Sequence, residues 1–248
     1  LGAGLMGGGI ATVLADKGIT VRLKDVNQDG LEHALDYAHR YFDKARRRKR
    51  YTRSGYEERM NRLSGGLEYD GLAHADVVIE AVPENIELKK KVLKDVEARS
   101  NCIFASNTSS LPISEIAEGA AHPEKVIGMH FFSPANVMRL LEVVRGAKSS
   151  PEALGTAMAL GKRLGKVSVM AGNCPGFIGN RMIGGYSRQA NLMILEGASP
   201  EQVDAVIYNF GLAMGPFAMA DMVGLDLGWR ARKMRGGSND ITARIPDA

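Results

Sequence analysis

The chain has 248 residues, 45% hydrophobic and 24% charged, with a net charge of +4; this balance marks it as globular, with room for one large domain or two unequal ones. Its apolar runs are broken by charge well short of the roughly 20 residues a membrane span needs, and no basic leader with an apolar stretch appears at the start, which leaves the compartment open. Cys102 and Cys174 stand far apart with no CxxC or Cys/His cluster, so neither a disulfide framework nor a metal site is expected.

The chain opens LGAGLMGGG, in which Gly2, Gly4 and Gly7 fit G-x-G-x-x-G. From there Met6, Ile10, Val13 and Leu14 recur at helical spacing up to Gly18, so a glycine loop runs into a helix. ITVRLKD, residues 19 to 25, alternates and is β-branched, a strand ending in Asp25. Leu31, Ala34, Leu35, Ala38, Phe42 and Ala45 then mark an amphipathic helix. It leads into RYFDKARRRKRYTR at 40 to 53, with eight Lys or Arg against one Asp. That run suits a solvated helix face, a nucleic-acid patch or a dock for a phosphorylated substrate. A polar, tyrosine-containing stretch to about residue 72 carries no assigned element.

Short apolar strands follow at 76–82, 102–106 and 125–132, separated by helical patterns, one on Leu88, Val92, Leu93 and Val96 and one after Leu111. Strands at 140–146 and 166–170 flank a helix opened by Ser150 and Pro151. Strands alternating with helices predict βαβ units and a mainly parallel sheet covered on both faces. From NCPGF at 173 the rhythm becomes helical: one helix over about 176–196, one opened by Ser199, Pro200 and Gln202 and closed at Gly211, and one over 215–234, with 236–248 as a tail. The expected fold class is α/β, a Rossmann-like domain over 1–172 followed by an all-helical domain over 173–248.

In G-x-G-x-x-G the first glycine allows a tight turn, the second close backbone approach to a pyrophosphate and the third close helix packing. Free N–H groups and the positive dipole end of the helix add to the cradle. The alternative is a flexible terminus that happens to be rich in glycine. The helix and strand that follow favour the cradle, because Asp25 falls near the offset expected for an acid on a ribose 2′-hydroxyl. A carboxylate there repels a 2′-phosphate and points to NAD over NADP. Leu1 is then the last residue of a first strand largely absent from this chain.

Of five histidines, His33, His39, His74 and His122 read as surface or loop residues. His130 comes at the C-terminal end of a predicted strand, the edge where open α/β sheets bind ligands; its plainer reading is a satisfied core histidine. NTSS at 107–110 follows a strand and reaches the same edge. Glu142 sits among apolar residues in LLEVV, where a carboxylate needs a partner to be buried, unless it faces water from an edge strand. Paired with His130 it would fix the imidazole tautomer and support its protonation.

GAGLMGGGIA, VIEAVPENIELKKKV, FASNTSSLPI, GMHFFSPANVMRLLEVV and CPGFIGNRM together closely resemble the 3-hydroxyacyl-CoA dehydrogenase family. HFFSP with GPFAMADMVGLDLGWR looks most like the dehydrogenase part of multifunctional fatty-acid oxidation enzymes. The resemblance implies NAD-linked oxidation of (S)-3-hydroxyacyl-CoA to 3-ketoacyl-CoA, with His130 as general base and Glu142 orienting it. It implies that Ser109 and Asn180 hydrogen-bond the substrate, and that Lys44, Lys49 and their arginine neighbours meet coenzyme A. Toward the cofactor it adds Leu5, Met6, Glu84, Lys89 and Ser109 to Gly2, Gly4, Gly7 and Asp25. Ser133 stands where many relatives have Asn at the nicotinamide end. The resemblance also implies a homodimer, a helical domain that closes the substrate cleft, and a fused or associated enoyl-CoA hydratase. It leaves three compartments open: bacterial cytoplasm, peroxisome and mitochondrion.

Two other readings remain at this point: a dehydrogenase of another 3-hydroxy acid such as a sugar acid, and a non-catalytic dinucleotide-binding or RNA-binding protein. No RNA-binding signature or aromatic stacking platform accompanies the basic run, so no nucleic-acid partner is expected. A strand before Leu1 would be central in a Rossmann sheet. The 248 residues alone are therefore expected to fold poorly and bind NAD weakly.

Overall fold

The computed structural model describes residues 1–225, which fall in two compact units divided between Ile178 and Gly179. Among the described residues the first carries all the strands. Its elements run α1 (Leu5–Asp16), β1 (Val21–Lys24), α2 (Gln28–Arg47), α3 (Arg53–Met60), β2 (Leu63–Gly66), β3 (Val77–Glu80), α4 (Ile86–Glu97), β4 (Ile103–Ser106), α5 (Ile113–Ile116), β5 (Val126–Phe131), β6 (Leu140–Arg145), α6 (Pro151–Arg163) and β7 (Val167–Gly172). Side-chain caps set several helix starts: Asn27, Thr52, Asn85 and Ser150 accept from Gly30 N, Gly55 N, Leu88 N and Ala153 N.

Strands β3, β4 and β5 are parallel neighbours, so their C-terminal ends share one edge. β6 joins β5 antiparallel, and β7 lies parallel to β6. This strand reversal departs from the run of βαβ units expected from the alternation of elements. Its cause is the connection: the eight residues 132–139 contain no helix and are too few for a parallel crossover, which takes a dozen or more. All six residues of β5 are buried. On one side of the sheet Ile10 and Leu14 of α1 and Leu154 of α6 pack with Ile127, Met129 and Leu141. Leu93, Val96, Ile113 and Ile116 of α4 and α5 pack with Val78, Phe104 and Val144.

β1 and β2 form a separate parallel pair, and a groove of about 870 Å³ runs along β1, β3, α1 and α6. Leu1 and Gly2 tie the two sheets together: Gly2 N donates to Lys24 O at 2.9 Å, and Ala81 N donates to Leu1 O at 2.8 Å. α3 and β2 occupy the stretch to which the sequence reading assigned no element. β2 reads LSGG and has no alternation to detect, because Leu31 covers Gly65 and Arg22 covers Gly66 where side chains would stand. α3 is seated from below by Asp16, which accepts from Tyr51 Oη at 2.7 Å and Arg59 Nε at 2.8 Å.

The second unit contains α7 (Gly179–Leu195), α8 (Pro200–Phe210) and α9 (Pro216–Val223). The expected Ser199–Gln202 capping box is present, and Gly211 ends α8 at φ 111°. Asp204 of α8 caps α9, accepting from Phe217 N at 3.0 Å and Ala218 N at 2.8 Å. Residues 226–234 of the third expected helix and the tail at 236–248 lie outside the described residues. Among the described residues no helix is long and apolar enough to cross a membrane.

Candidate active site

The opening glycines carry three distinct steric demands. Gly2 sits at φ 83°, and a Cβ there would come within 2.7 Å of Ala81 O. A Cβ on Gly7 would collide with the Gly2 carbonyl, whereas one on Gly4 would meet nothing within 4 Å. Gly2 and Gly7 thus close the turn, and Gly4 keeps its outer side open. α1 begins at Gly4 with no side-chain cap, so the first-turn amides of Leu5, Met6 and Gly7 have no intrahelical acceptor. Asp25 Oδ2 accepts from Ala3 N at 2.6 Å, and its Oδ1 accepts from Val26 N at 2.6 Å. An open glycine, free helix-end donors and an adjacent carboxylate fit the pyrophosphate and ribose of a dinucleotide.

His130 and Glu142 face each other across the antiparallel β5–β6 pair. Nδ1 of His130 lies 2.7 Å from Glu142 Oε2, with Glu142 fully buried and His130 5% exposed. β6 is an inner strand, so the edge-strand reading of Glu142 is excluded. Its Oε1 also accepts from Ile178 N at 2.9 Å, which ties the CPGFI turn to the dyad. Phe132 and Phe177 lie tilted against the imidazole, with ring centroids 4.5 and 5.6 Å away. With Nδ1 held by a carboxylate, Nε2 is the nitrogen left to exchange a proton.

Beside the dyad, the ends of β3 and β4 are stitched by a network that the sequence reading did not find. Glu80, fully buried, takes Lys89 Nζ and Val82 N on Oε1 and Ser106 Oγ on Oε2, each at 2.7 Å. Glu84 Oε1 accepts from Thr108 Oγ1 at 2.6 Å, Ser109 N at 3.0 Å and Ser110 N at 3.1 Å. Burial pushes the Glu84 carboxyl up, but the Thr108 hydroxyl and the Lys89 charge outweigh it and hold it below the usual glutamate range. Asn107 Oδ1 accepts from Phe131 N at 2.8 Å, joining this loop to the end of β5. The signal was legible: Glu80 in VVIEAV is an acid in an apolar strand, as Glu142 is in LLEVV.

The remaining expected residues are spread more widely. Ser109 and Ser133 are exposed. The loop holding Ser133 is strapped by Tyr37 Oη, 2.8 Å from Asn136 Oδ1, and by Lys166 Nζ, 2.7 Å from Met138 O. Lys44 and Lys49 are exposed at the end of α2 and just beyond it. In the basic run Arg40 pairs with Asp36, Arg46 and Arg47 with Asp43, and Arg53 with Glu57. Among the described residues Lys44, Arg48, Lys49 and Arg50 form no ion pair. Asn180 belongs to the second unit, in the first turn of α7.

A sequence model described as "3-hydroxyacyl-CoA dehydrogenase, NAD binding domain" matches residues 1–174, and one described as the C-terminal domain of the same family matches residues 176–246. The chain belongs to the 3-hydroxyacyl-CoA dehydrogenase family. It is 44% identical over 231 residues to a fatty acid oxidation complex subunit alpha of Shewanella baltica, covering 92% of this chain and 33% of that one. It is 44% identical over 238 residues to a peroxisomal bifunctional enzyme of Danio rerio, covering 95% of this chain and 32% of that one. The chain therefore spans about a third of the length of these curated relatives. Among solved structures, an (S)-3-hydroxybutyryl-CoA dehydrogenase from Ralstonia eutropha matches with a TM-score of 0.87 and 37% identity over 91% of this chain and 81% of that one. Residues 1–174, which hold the glycine loop and the His130–Glu142 pair, are thus the part that matches the family's NAD-binding domain.

Proposed function

We propose that the protein oxidises (S)-3-hydroxyacyl-CoA to 3-ketoacyl-CoA as the dehydrogenase step of fatty-acid β-oxidation. The observation that carries this reading is the buried His130–Glu142 contact of 2.7 Å at the edge where β5 ends, in a domain that opens with the glycine loop. NAD, when bound, supplies the hydride acceptor. His130 takes the hydroxyl proton on Nε2, and Glu142 holds the tautomer and supports the positive charge that develops. Ser109 and Asn180 hydrogen-bond the substrate near the reacting carbon. Gly2, Gly4, Leu5, Met6 and Gly7 cradle the pyrophosphate, Asp25 takes the ribose, and Glu84, Lys89, Ser109 and Ser133 serve the nicotinamide side.

Lys44 and Lys49, unengaged by the acids that neutralise their arginine neighbours, receive the phosphates of coenzyme A. Residues 1–172 serve as the cofactor domain, and residues 173–248 as a second domain through which the protein forms a homodimer. A relative named a bifunctional enzyme, of which the chain covers 32%, supports a second activity fused to or associated with this one; we read that activity as an enoyl-CoA hydratase, in a bacterial cytoplasm, a peroxisome or a mitochondrion. Titrating the full-length protein with NADH and acetoacetyl-CoA, beside free 3-hydroxy acids, tests the reading by absorbance. Rapid NADH consumption with the thioester alone is expected; turnover of the free acids alone would assign the protein to a different substrate class.

A further inference from the structure

Two residues near the basic run stand where local preference disfavours them. Asp16 is the last residue of α1, an acid at the negative end of a helix dipole. Lys49 follows the C-cap of α2 with φ 58°, the left-handed conformation that this position usually gives to glycine. The helix-ending motif around it is complete: Lys49 N donates to Arg46 O at 2.8 Å and Arg50 N to Ala45 O at 2.9 Å. A lysine kept where glycine would be unstrained points to a use for its side chain.

Asp16 holds the same turn from its other side. Its Oδ1 accepts from Tyr51 Oη at 2.7 Å and from Arg59 Nε at 2.8 Å, and the Arg59 guanidinium lies over the Tyr51 ring, 3.9 Å from its centroid. Arg59 also donates to Gly55 O at 2.8 Å, and Thr52 Oγ1 accepts from Gly55 N at 3.0 Å, so the start of α3 is locked to the same node. Burial, and then the bond to Asp16, push the Tyr51 phenol up to about 12, so it stays a donor at neutral pH. Residues 48–50 therefore span only from the closed end of α2 to Tyr51, fixed at both ends. Arg48, Lys49 and Arg50 are exposed, and among the described residues they form no ion pair. A solvated helix face needs neither the strain nor the anchor, whereas a receptor for a polyanion gains from charges held in place before the ligand arrives.

We propose that Asp16 is a positioning residue for the substrate: through Tyr51 and Arg59 it holds the 48–50 turn, with Lys49 in its strained conformation, ready for the phosphates of the coenzyme A arm. Asp16 acts through the turn and touches no ligand itself. The inference rests on the reading that the basic run receives those phosphates, and adds which part of the run is preformed and what holds it.

The test compares two thioesters on the full-length enzyme: acetoacetyl-CoA, and acetoacetyl-N-acetylcysteamine, which keeps the reacting end and lacks the phosphates. Asp16→Ala should raise KM for the coenzyme A ester about fivefold to tenfold, the scale of one hydrogen bond. It should leave kcat within about twofold and KM for the truncated ester unchanged. Lys49→Gly should raise KM for the coenzyme A ester and also raise the melting temperature, since it removes the charge and the strain together. Equal rises in KM for both thioesters with Asp16→Ala, or a lower melting temperature with both KM values kept, would mark Asp16 as structural only and overturn the proposal. A melting temperature lowered by Lys49→Gly would assign that lysine to stability and overturn it too. If Lys49→Gly leaves KM for the coenzyme A ester intact, the phosphates land elsewhere, and the reading of the basic run fails together with the proposal. If Lys49→Gly raises that KM and Asp16→Ala does not, the reading stands and the positioning role falls. Should Asp16→Ala not fold, Tyr51→Phe, which removes only the hydroxyl, carries the same comparison.

Discussion

The carboxylate of Asp25 accepts the amide proton of Ala3 at 2.6 Å, from 22 residues further along the chain. The acid that the sequence offers as a ribose ligand is therefore also a brace for the glycine loop. Its second oxygen takes Val26 N and Asn27 N, at 2.6 and 3.3 Å, which sets the turn into α2. Asp25→Ala should raise the Kd for NADH about tenfold to a hundredfold, given the worth of hydrogen bonds to charged groups. It should also narrow discrimination against NADPH. Fluorescence titration with both nucleotides checks this; unchanged preference would remove Asp25 from the ribose site.

For the dyad, His130→Ala should reduce kcat by about 10²–10⁴-fold, the usual contribution of a general base. Glu142→Ala should also lower turnover sharply, since it removes the partner of Nδ1 and the acceptor of Ile178 N. NADH should bind both variants. Near-normal turnover in either would mean that the residue lacks the role assigned to it.

The glycine loop offers a pair of substitutions with different signatures. Gly7→Ala forces a Cβ into the Gly2 carbonyl and should cost about 1–3 kcal/mol of stability, as overpacking does. Gly4→Ala meets nothing within 4 Å and should leave the melting temperature alone while weakening NADH binding. Calorimetry and nucleotide titration on the two variants separate packing from phosphate approach.

Acid sensitivity should report on Glu84. Its carboxyl is held below the usual value of 4.5, with burial opposing and the Thr108 hydroxyl and Lys89 charge prevailing. A depressed folded pKa contributes stability that is complete above the unfolded value and is lost as pH falls through the lower folded value. Glu84→Gln should therefore melt earlier than the parent at neutral pH, and the gap should close as pH drops below 4.5. A gap constant with pH would show that the charge on Glu84 contributes nothing to stability.

Much of this arrangement was legible in the residues. The loop, the helix after it and the strand ending in Asp25 follow from spacing, and Glu142 betrayed itself as an acid in an apolar strand. Glu80 carried the same signal but had no histidine to draw attention to it; its partner Lys89 lies in a lysine run that reads as solvated surface. β2 was illegible because its glycines make room for Leu31 and Arg22, and apolar periodicity encodes burial but not side chains supplied by neighbours. Strand direction was likewise hidden in composition, though the short 132–139 connection already ruled out a crossover.

That reversal of β6 has a consequence for how the site tolerates change. His130 and Glu142 are opposite residues in an antiparallel ladder, so their spacing is inherited from backbone pairing and not from the segment that joins them. Lengthening the 132–139 connection should leave the His130–Glu142 contact intact. A single residue inserted between Leu140 and Glu142 would turn the carboxylate to the other face of the sheet, deleting the contact with both of its side chains still encoded.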